Sequence, residues 1–239
     1  MDPRSFLNAL YRAAVAAVDP GRLVSEALSR RGNAVVVRSL SDPGQREFVF
    51  VPRRVVLLAV GKAAVPMAAA AHRALGSLVS DALVVAPEEA PGGGLLPAGR
   101  LLVGALPAPD ERSVTAGREA LALASGLDAD DLLVVLLSGG GSSLMALPVP
   151  EVPLEDKCRT VALLAAAGAP AADVNLVRGA LSRVKGGRLA AAARAADVVT
   201  LVLSDLGGDG WHLVGSGPTM GPPPSRRDAA ALLDSWRLH

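Results

Sequence analysis

Residues Leu132 to Ser143 read LLVVLLSGGGSS, six consecutive apolar residues that stop at a serine, three glycines and two more serines. A strand with no polar alternation is covered on both faces, which is the setting of a parallel sheet flanked by helices. The loop after such a strand leaves the carboxyl edge of the sheet, where open α/β sheets bind their ligands. Gly139, Gly140 and Gly141 let phosphate oxygens reach backbone N–H groups that a Cβ would hold away, and Ser138, Ser142 and Ser143 add hydroxyls. A strand-to-helix turn that holds no ligand is also compatible with these letters in an Ala/Gly-rich chain.

Spelling removes three common labels. No lysine follows the glycines, so the loop is not a Walker A sequence. Leu144 stands two residues after Ser142, where a nucleophile elbow needs glycine, and no histidine is placed for a triad. Leu144 also occupies the third glycine position of a dinucleotide fingerprint.

Outward from this loop, strands alternate with helices. The pattern predicts an amphipathic first helix with Phe6, Leu7, Leu10, Ala14 and Val18 near helical spacing, and a second helix over 25–31. It predicts a strand over 34–38, paired as a hairpin with 46–51 across the turn Ser41-Asp42-Pro43-Gly44. Buried strands are expected at 55–60, 81–85, 101–103, 132–137 and 198–203, with a Pro/Gly-rich loop over 87–97. Helices are expected from Ala63-Ala64 through 74, then over 113–124, 154–167, 173–184, 187–195 and 226–236. The expected fold class is α/β, a mostly parallel sheet with helices on both faces, built as one domain over residues 1–239.

Composition narrows the function. The 239 residues carry 24 Lys+Arg against 23 Asp+Glu, a net charge of +1 that offers no field for nucleic acid or an anionic membrane. No stretch has the length and hydropathy of a membrane span or a secretory leader, and the single Cys158 forms no internal disulfide, so the expected setting is the reducing cytoplasm. Hydrophobic residues reach 51% with only 3% aromatic, so the core is built from Ala, Val and Leu. A compact polar or anionic metabolite is the partner such a surface suits.

Three further constellations could carry chemistry. Lys62 follows a buried strand and opens a helix, so it can address a carboxylate or a phosphoryl oxygen, although a lysine extending from a βα loop explains it too. Asn175, Arg178, Ser182 and Lys185 recur at helical spacing and suit a polyanion, as they also suit a solvated helix face. Gly186-Gly187 then opens another helix, a second N-terminal anion position. Asp205 and Asp209 flank Gly207-Gly208 after the last strand, a position for a magnesium ligand, a general base or a turn cap, and Gly215-Ser216-Gly217-Pro218-Thr219 continues the polar run. His72, His212 and His239 share no metal-ligand spacing.

Taken in order, GKAA at 61–64, SGGGSS at 138–143, NLVRGALSRVKGGRLA at 175–190, SDLGGD at 204–209 and SGPT at 216–219 closely resemble the glycerate 2-kinase family. The resemblance covers only the N-terminal domain of such an enzyme, without its C-terminal MOFRL domain. It implies a Rossmann-like three-layer domain and ATP-dependent phosphorylation of D-glycerate at its 2-hydroxyl, with Mg²⁺, in a cleft closed by the MOFRL domain. Lys62 is then the essential lysine and Asp205 or Asp209 its acidic partner and magnesium ligand. Ser138 to Ser143, with Asn175, Arg178, Lys185, Gly186, Ser216 and Thr219, is then the wall that binds phosphate or glycerate. The chain departs from the family pattern at Leu106, where relatives carry histidine, at Gly179-Ala180, where they carry Lys-His, and at Gly210, where they carry a second aspartate. The alternative is a non-catalytic domain that binds an anionic metabolite or nucleotide and associates with itself or with a MOFRL-bearing partner. A dinucleotide-dependent oxidoreductase fits the fold but lacks the fingerprint.

Overall fold

The computed structural model describes residues 2–41, 44–88, 99–194, 196–206 and 208–238. Its centre is a five-stranded parallel sheet in the order β6-β5-β4-β7-β8, formed by β4 (Arg54–Val60), β5 (Val79–Ala86), β6 (Gly99–Val103), β7 (Asp131–Leu137) and β8 (Asp197–Val202). All seven residues of β7 are buried, as its unalternating spelling requires. Each fully buried Val or Leu contributes about 1.5–3 kcal/mol, so β4 and β7 together hold much of the fold. The expected parallel α/β layering is present.

Successive residues of these strands feed two different cores. Val55, Leu57, Ala59, Leu132, Val134 and Leu136 pack against α3 (Ala64–Leu75), whose face of Ala64, Ala68 and Ala71 lets the helix lie close to the sheet. Val56, Leu58, Val60, Leu133, Val135 and Leu137 pack against α4 (Glu111–Ser125), α8 (Arg188–Ala192) and Val214. A third, smaller cluster joins α6 (Leu154–Ala166), α7 (Ala171–Ala180) and α9 (Arg226–Ser235).

Three expected helices end earlier than their spelling suggests, the one expected over 187–195 being α8, which stops at Ala192. The helix expected over 25–31 is instead α2 (Pro20–Ala27), capped by Asp19, whose carboxylate accepts the Arg22 N–H at 2.7 Å. Its C-terminal residues enter β1 (Leu28–Arg31), which pairs with β2 (Ala34–Arg38), itself paired with β3 (Glu47–Phe50), in a three-stranded antiparallel sheet. Cross-strand contacts outweigh helix propensity there: Arg31 and Arg38 both reach Glu47, and Arg30 donates to the Leu75 carbonyl. The helix expected over 173–184 ends at Ala180, because Ser182 bridges to Pro148 and Lys185 turns into the core. The hairpin-turn residues Asp42-Pro43 and most of the Pro/Gly-rich loop, 89–98, lie outside the described residues.

The first helix, α1 (Pro3–Ala17), forms where its spacing predicts but buries none of its residues, and Phe6, Leu7, Leu10, Tyr11 and Val15 are all at least half exposed.

Candidate active site

The chain runs outward from β4 through β5 to β6, then returns to the other side of β4 with β7 and β8. The direction of winding therefore reverses between β4 and β7, and the crevice beyond their carboxyl ends is where such sheets place a ligand. The loops there hold each other. Gly61 packs so tightly on Ser138 that a Cβ would overlap the serine hydroxyl and carbonyl, and its φ of +134° is a conformation that side-chain-bearing residues rarely adopt. Ser138 Oγ accepts the Ala63 N–H at 3.0 Å, and the Lys62 N–H donates to the Gly139 carbonyl at 2.9 Å.

Above this brace the glycine loop is open. A Cβ at Gly139 would meet nothing within 4 Å, and Gly140, at φ +87°, turns the chain into the one-turn helix α5 (Gly141–Leu144). Among the described residues the N–H groups of Gly139 and Gly140 have no hydrogen-bond partner. The Lys62 side chain is exposed and runs beside Gly140, with Cγ 3.4 Å from where a Cβ would stand, and its ammonium has no partner among the described residues. Two N–H groups without a partner among the described residues and an exposed lysine thus lie side by side at the switch point.

The serines brace this loop. Ser142 Oγ lies 2.7 Å from Ser216 Oγ, which donates to Asn175 Oδ1 at 2.6 Å, so the glycine loop, the Ser216 turn and α7 are joined by one chain of hydrogen bonds. Ser143 Oγ donates to the Pro107 carbonyl at 2.7 Å. Lys185 is fully buried and its Nζ donates to the carbonyls of Met145 and Gly215, at 2.9 and 3.2 Å. Burial, with the neighbouring charges of Lys157 and Arg178, pushes the Lys185 ammonium well below the usual lysine range.

Arg178, one turn after Asn175 on α7, is half-buried and has no hydrogen bond or ion pair among the described residues. Lys157 on α6 went unnoticed in the sequence, where only its neighbour Cys158 drew attention. It is 4% exposed, and its Nζ is a buried polar atom without a partner among the described residues. A lone lysine in a charged first turn, EDKCR, carries no spelling that marks it as buried.

Other candidates are placed elsewhere or used differently. The Gly186 N–H donates to the Ser216 carbonyl and the Gly187 N–H to Gly217, so the start of α8 has these donors filled and is not the open anion position its spelling suggested. Thr219 Oγ1 lies 2.8 Å from Thr200 Oγ1, midway along β8 and below the carboxyl edge. Asp205 is exposed just past β8, on the same edge as the glycine loop, and has no partner among the described residues. Gly207 and the side chain of Asp209 lie outside the described residues.

A protein-family model described as "Domain of unknown function (DUF4147)" matches residues 6–239. The chain belongs to the DUF4147 family. This is the N-terminal domain family of the glycerate kinases, as the ordered motifs imply. The DUF4147 chain is 38% identical over 247 residues to a human protein named glycerate kinase, covering 96% of this chain and 45% of the relative. It is 39% identical over 185 residues to a D-glycerate 2-kinase of Thermotoga maritima, covering 77% and 44%. It is also 38% identical to an Agrobacterium vitis protein with the provisional name hydroxypyruvate reductase, covering 98% and 49%. The crystal structure of a Thermotoga maritima glycerate kinase matches with a TM-score of 0.82 at 33% identity, over 99% of this chain and 53% of that one. A Pyrococcus horikoshii protein matches with a TM-score of 0.85 at 33% identity, over 100% and 52%. The chain therefore spans about half the length of the relatives it matches.

Two departures from the family pattern have structural correlates in this DUF4147 chain. A Cβ at Gly179 would approach Pro224 Cγ to 2.7 Å, so the proline tail occupies the room a longer side chain needs. Leu106 lies beside Gly140, with its methyl carbons 3.6 Å from a Cβ there, and gives the loop an apolar neighbour.

Proposed function

We propose that this chain is the catalytic lobe of a phosphotransferase that moves the γ-phosphoryl group of ATP to the 2-hydroxyl of D-glycerate. The observation that carries the reading is the pair of Gly139 and Gly140 N–H groups, beside the exposed Lys62, none of them partnered among the described residues, at the point where the winding of the sheet reverses. Phosphoryl transfer is accelerated chiefly by positioning and by neutralising charge on the equatorial oxygens. In this reading the two glycine N–H groups hold a phosphate oxygen, and Lys62 places its positive charge against the transferring group. Ser138 and Ser142 keep the loop in register for that contact.

Among the described residues no three His, Cys, Asp or Glu side chains gather as a metal cage. Magnesium does not need one, since it takes one or two carboxylates together with phosphate oxygens and water, and Asp205 offers an exposed carboxylate on the correct edge. When bound, the ion neutralises charge shared between the phosphates. Asp205 or Asp209 holds it or accepts the 2-hydroxyl proton. A MOFRL domain, in the same chain or a separate one, or a second copy of this chain, excludes water from the cleft. A reducing cytoplasm suits the free Cys158.

The chain given ATP, Mg²⁺ and D-glycerate, alone and with a MOFRL domain added, is expected to form 2-phosphoglycerate. Retained binding of both ligands without turnover in either mixture would assign the chain a binding role instead. A second reading, reduction of hydroxypyruvate, is prompted by the name of the Agrobacterium relative. The loop after β4 reads GKAA and lacks the glycine spacing that receives a dinucleotide pyrophosphate. NADH oxidation in the presence of hydroxypyruvate would favour that second reading over the kinase.

A further inference from the structure

Lys157 presents an energetic problem that packing alone does not solve. A buried ammonium without a counter-ion or hydrogen-bond acceptor is costly, and an apolar side chain of the same length is more stable in the same place. Yet Lys157 is 4% exposed and its Nζ meets no acceptor among the described residues. Arg178, on the neighbouring helix α7, is a second cation with no hydrogen bond or ion pair among the described residues. Lys185 completes the group, and its Nζ donates to two carbonyls. The cluster adjoins the glycine loop. Asn175, one turn before Arg178, is tied through Ser216 to Ser142, and Lys185 holds the carbonyls of Met145 and Gly215 on either side of that same chain of hydrogen bonds.

We propose that Lys157 Nζ and the Arg178 guanidinium form a second oxyanion subsite, separate from the phosphate loop, and that the group it receives is the carboxylate of the acceptor acid. Two unpartnered cations on adjacent helices fit two oxygens of one planar anion, with the guanidinium supplying a fork and the ammonium a point charge. The assignment to a carboxylate rests on the kinase reading. The loop at Gly139, Gly140 and Lys62 takes the phosphoryl group, which leaves this cluster for the other charged end of a 2-hydroxy acid. A bound acid is thereby held by its carboxylate on α6 and α7.

The charged state of Lys157 provides a readout that a structural role would not move. Burial, with the nearby Arg178 charge, holds its ammonium down to about 8, only partly offset by the adjacent Cys158. The titratable and charged groups around it are Cys158 on its own helix, Arg178 on α7 and Lys185 in the turn beyond α7. An anion bound against Lys157 favours the protonated form, so binding near pH 8.5 takes up a proton.

The test is calorimetric titration of the purified chain and its Lys157→Met variant with sodium D-glycerate, with ATP and with inorganic phosphate, each near pH 8.5 in two buffers of different ionisation enthalpy. Thermal melts of both proteins accompany the titrations. The expected result is that Lys157→Met weakens D-glycerate binding by about tenfold to hundredfold, the range for a lost hydrogen bond to a charged group. The variant also abolishes proton uptake, leaves ATP affinity unchanged and melts no lower than the parent. Unchanged glycerate affinity, a loss confined to ATP or phosphate, no glycerate binding by the parent chain, or a fall in melting temperature alongside the lost binding would each overturn the proposal. Its failure is distinguishable from that of the kinase reading. Lys157-dependent glycerate binding without 2-phosphoglycerate formation overturns the kinase reading alone, and turnover indifferent to Lys157→Met overturns the subsite alone.

Discussion

Lys62 and Asp131 are charged groups at opposite ends of the sheet, and they do opposite work. Lys62 is exposed at the carboxyl edge with no partner, so removing its ammonium costs the fold little and the proposed chemistry much. Lys62→Ala is expected to lower kcat for 2-phosphoglycerate formation by about 10²–10³, the range for loss of one preorganised electrostatic contact, with an unchanged melting temperature. A comparable fall in stability would mean that the lysine is structural. Asp131 opens β7 at the amino edge and is buried between Arg53 and Arg54. Burial pushes its carboxyl up, but hydrogen bonds from Arg54, the Asp128 N–H and Arg53 outweigh that and hold it at about 2. Its pKa in the unfolded chain is about 3.9, so the unfolded state binds more protons in between, and the contribution is present above about pH 4 and lost as pH falls toward 2. Discounted for the solvent around both arginines, that contribution is about 1–2 kcal/mol. Urea denaturation of Asp131→Asn should show that deficit at pH 7, and the gap to the parent should close between about pH 4 and 2. Neither Asp131 nor Lys157 was legible in the sequence as a buried group, because burial of a charged residue is decided by long-range neighbours that spelling does not reveal.

At the scale of elements, the glycine loop was legible and the turns around it less so. SGGGSS after an apolar run identified both the strand and its exit, because an uninterrupted apolar hexamer has few places to be except the centre of a sheet. The close packing of Gly61 on Ser138 was not legible there, and it supplies a stability test. Gly61→Ala forces a Cβ into Ser138 at positive φ, and is expected to cost more than about 2 kcal/mol and to weaken ATP binding, read by thermal melts and titration. An alanine variant as stable as the parent would show that the two loops are not braced as described. The end of α2 was misread because Ser25 to Arg31 has acceptable helix formers, and the Gly32-Asn33 pair that turns β1 into β2 was a hairpin signal left unused. The face of Asn175, Arg178, Ser182 and Lys185 was half right. Asn175 and Arg178 do share α7, but Lys185 enters the core at a position whose spacing still looked helical.

The whole molecule shows why the sheet was readable and the surface was not. Two cores on opposite faces of one sheet demand unbroken apolar runs in its central strands, at 55–60 and 132–137, a pattern visible without structure. Exposure of α1 is set by what packs on it, which no periodicity reports. With no buried residue, α1 contributes little to this fold, so deleting residues 2–18 is expected to change unfolding free energy by less than about 1 kcal/mol. A larger loss in chemical denaturation would reveal that the helix is covered in solution. The central claim concerns the reversal point between β4 and β7, where the whole topology converges on two unpartnered N–H groups and one lysine. Amide proton and nitrogen shifts of the ¹⁵N-labelled chain, titrated with MgATP, test it most directly. The account predicts saturable shifts concentrated at Gly139 and Gly140, reached only at higher MgATP concentration in Lys62→Ala. Saturable shifts elsewhere with Gly139 and Gly140 unmoved, or no shifts at all, would contradict it.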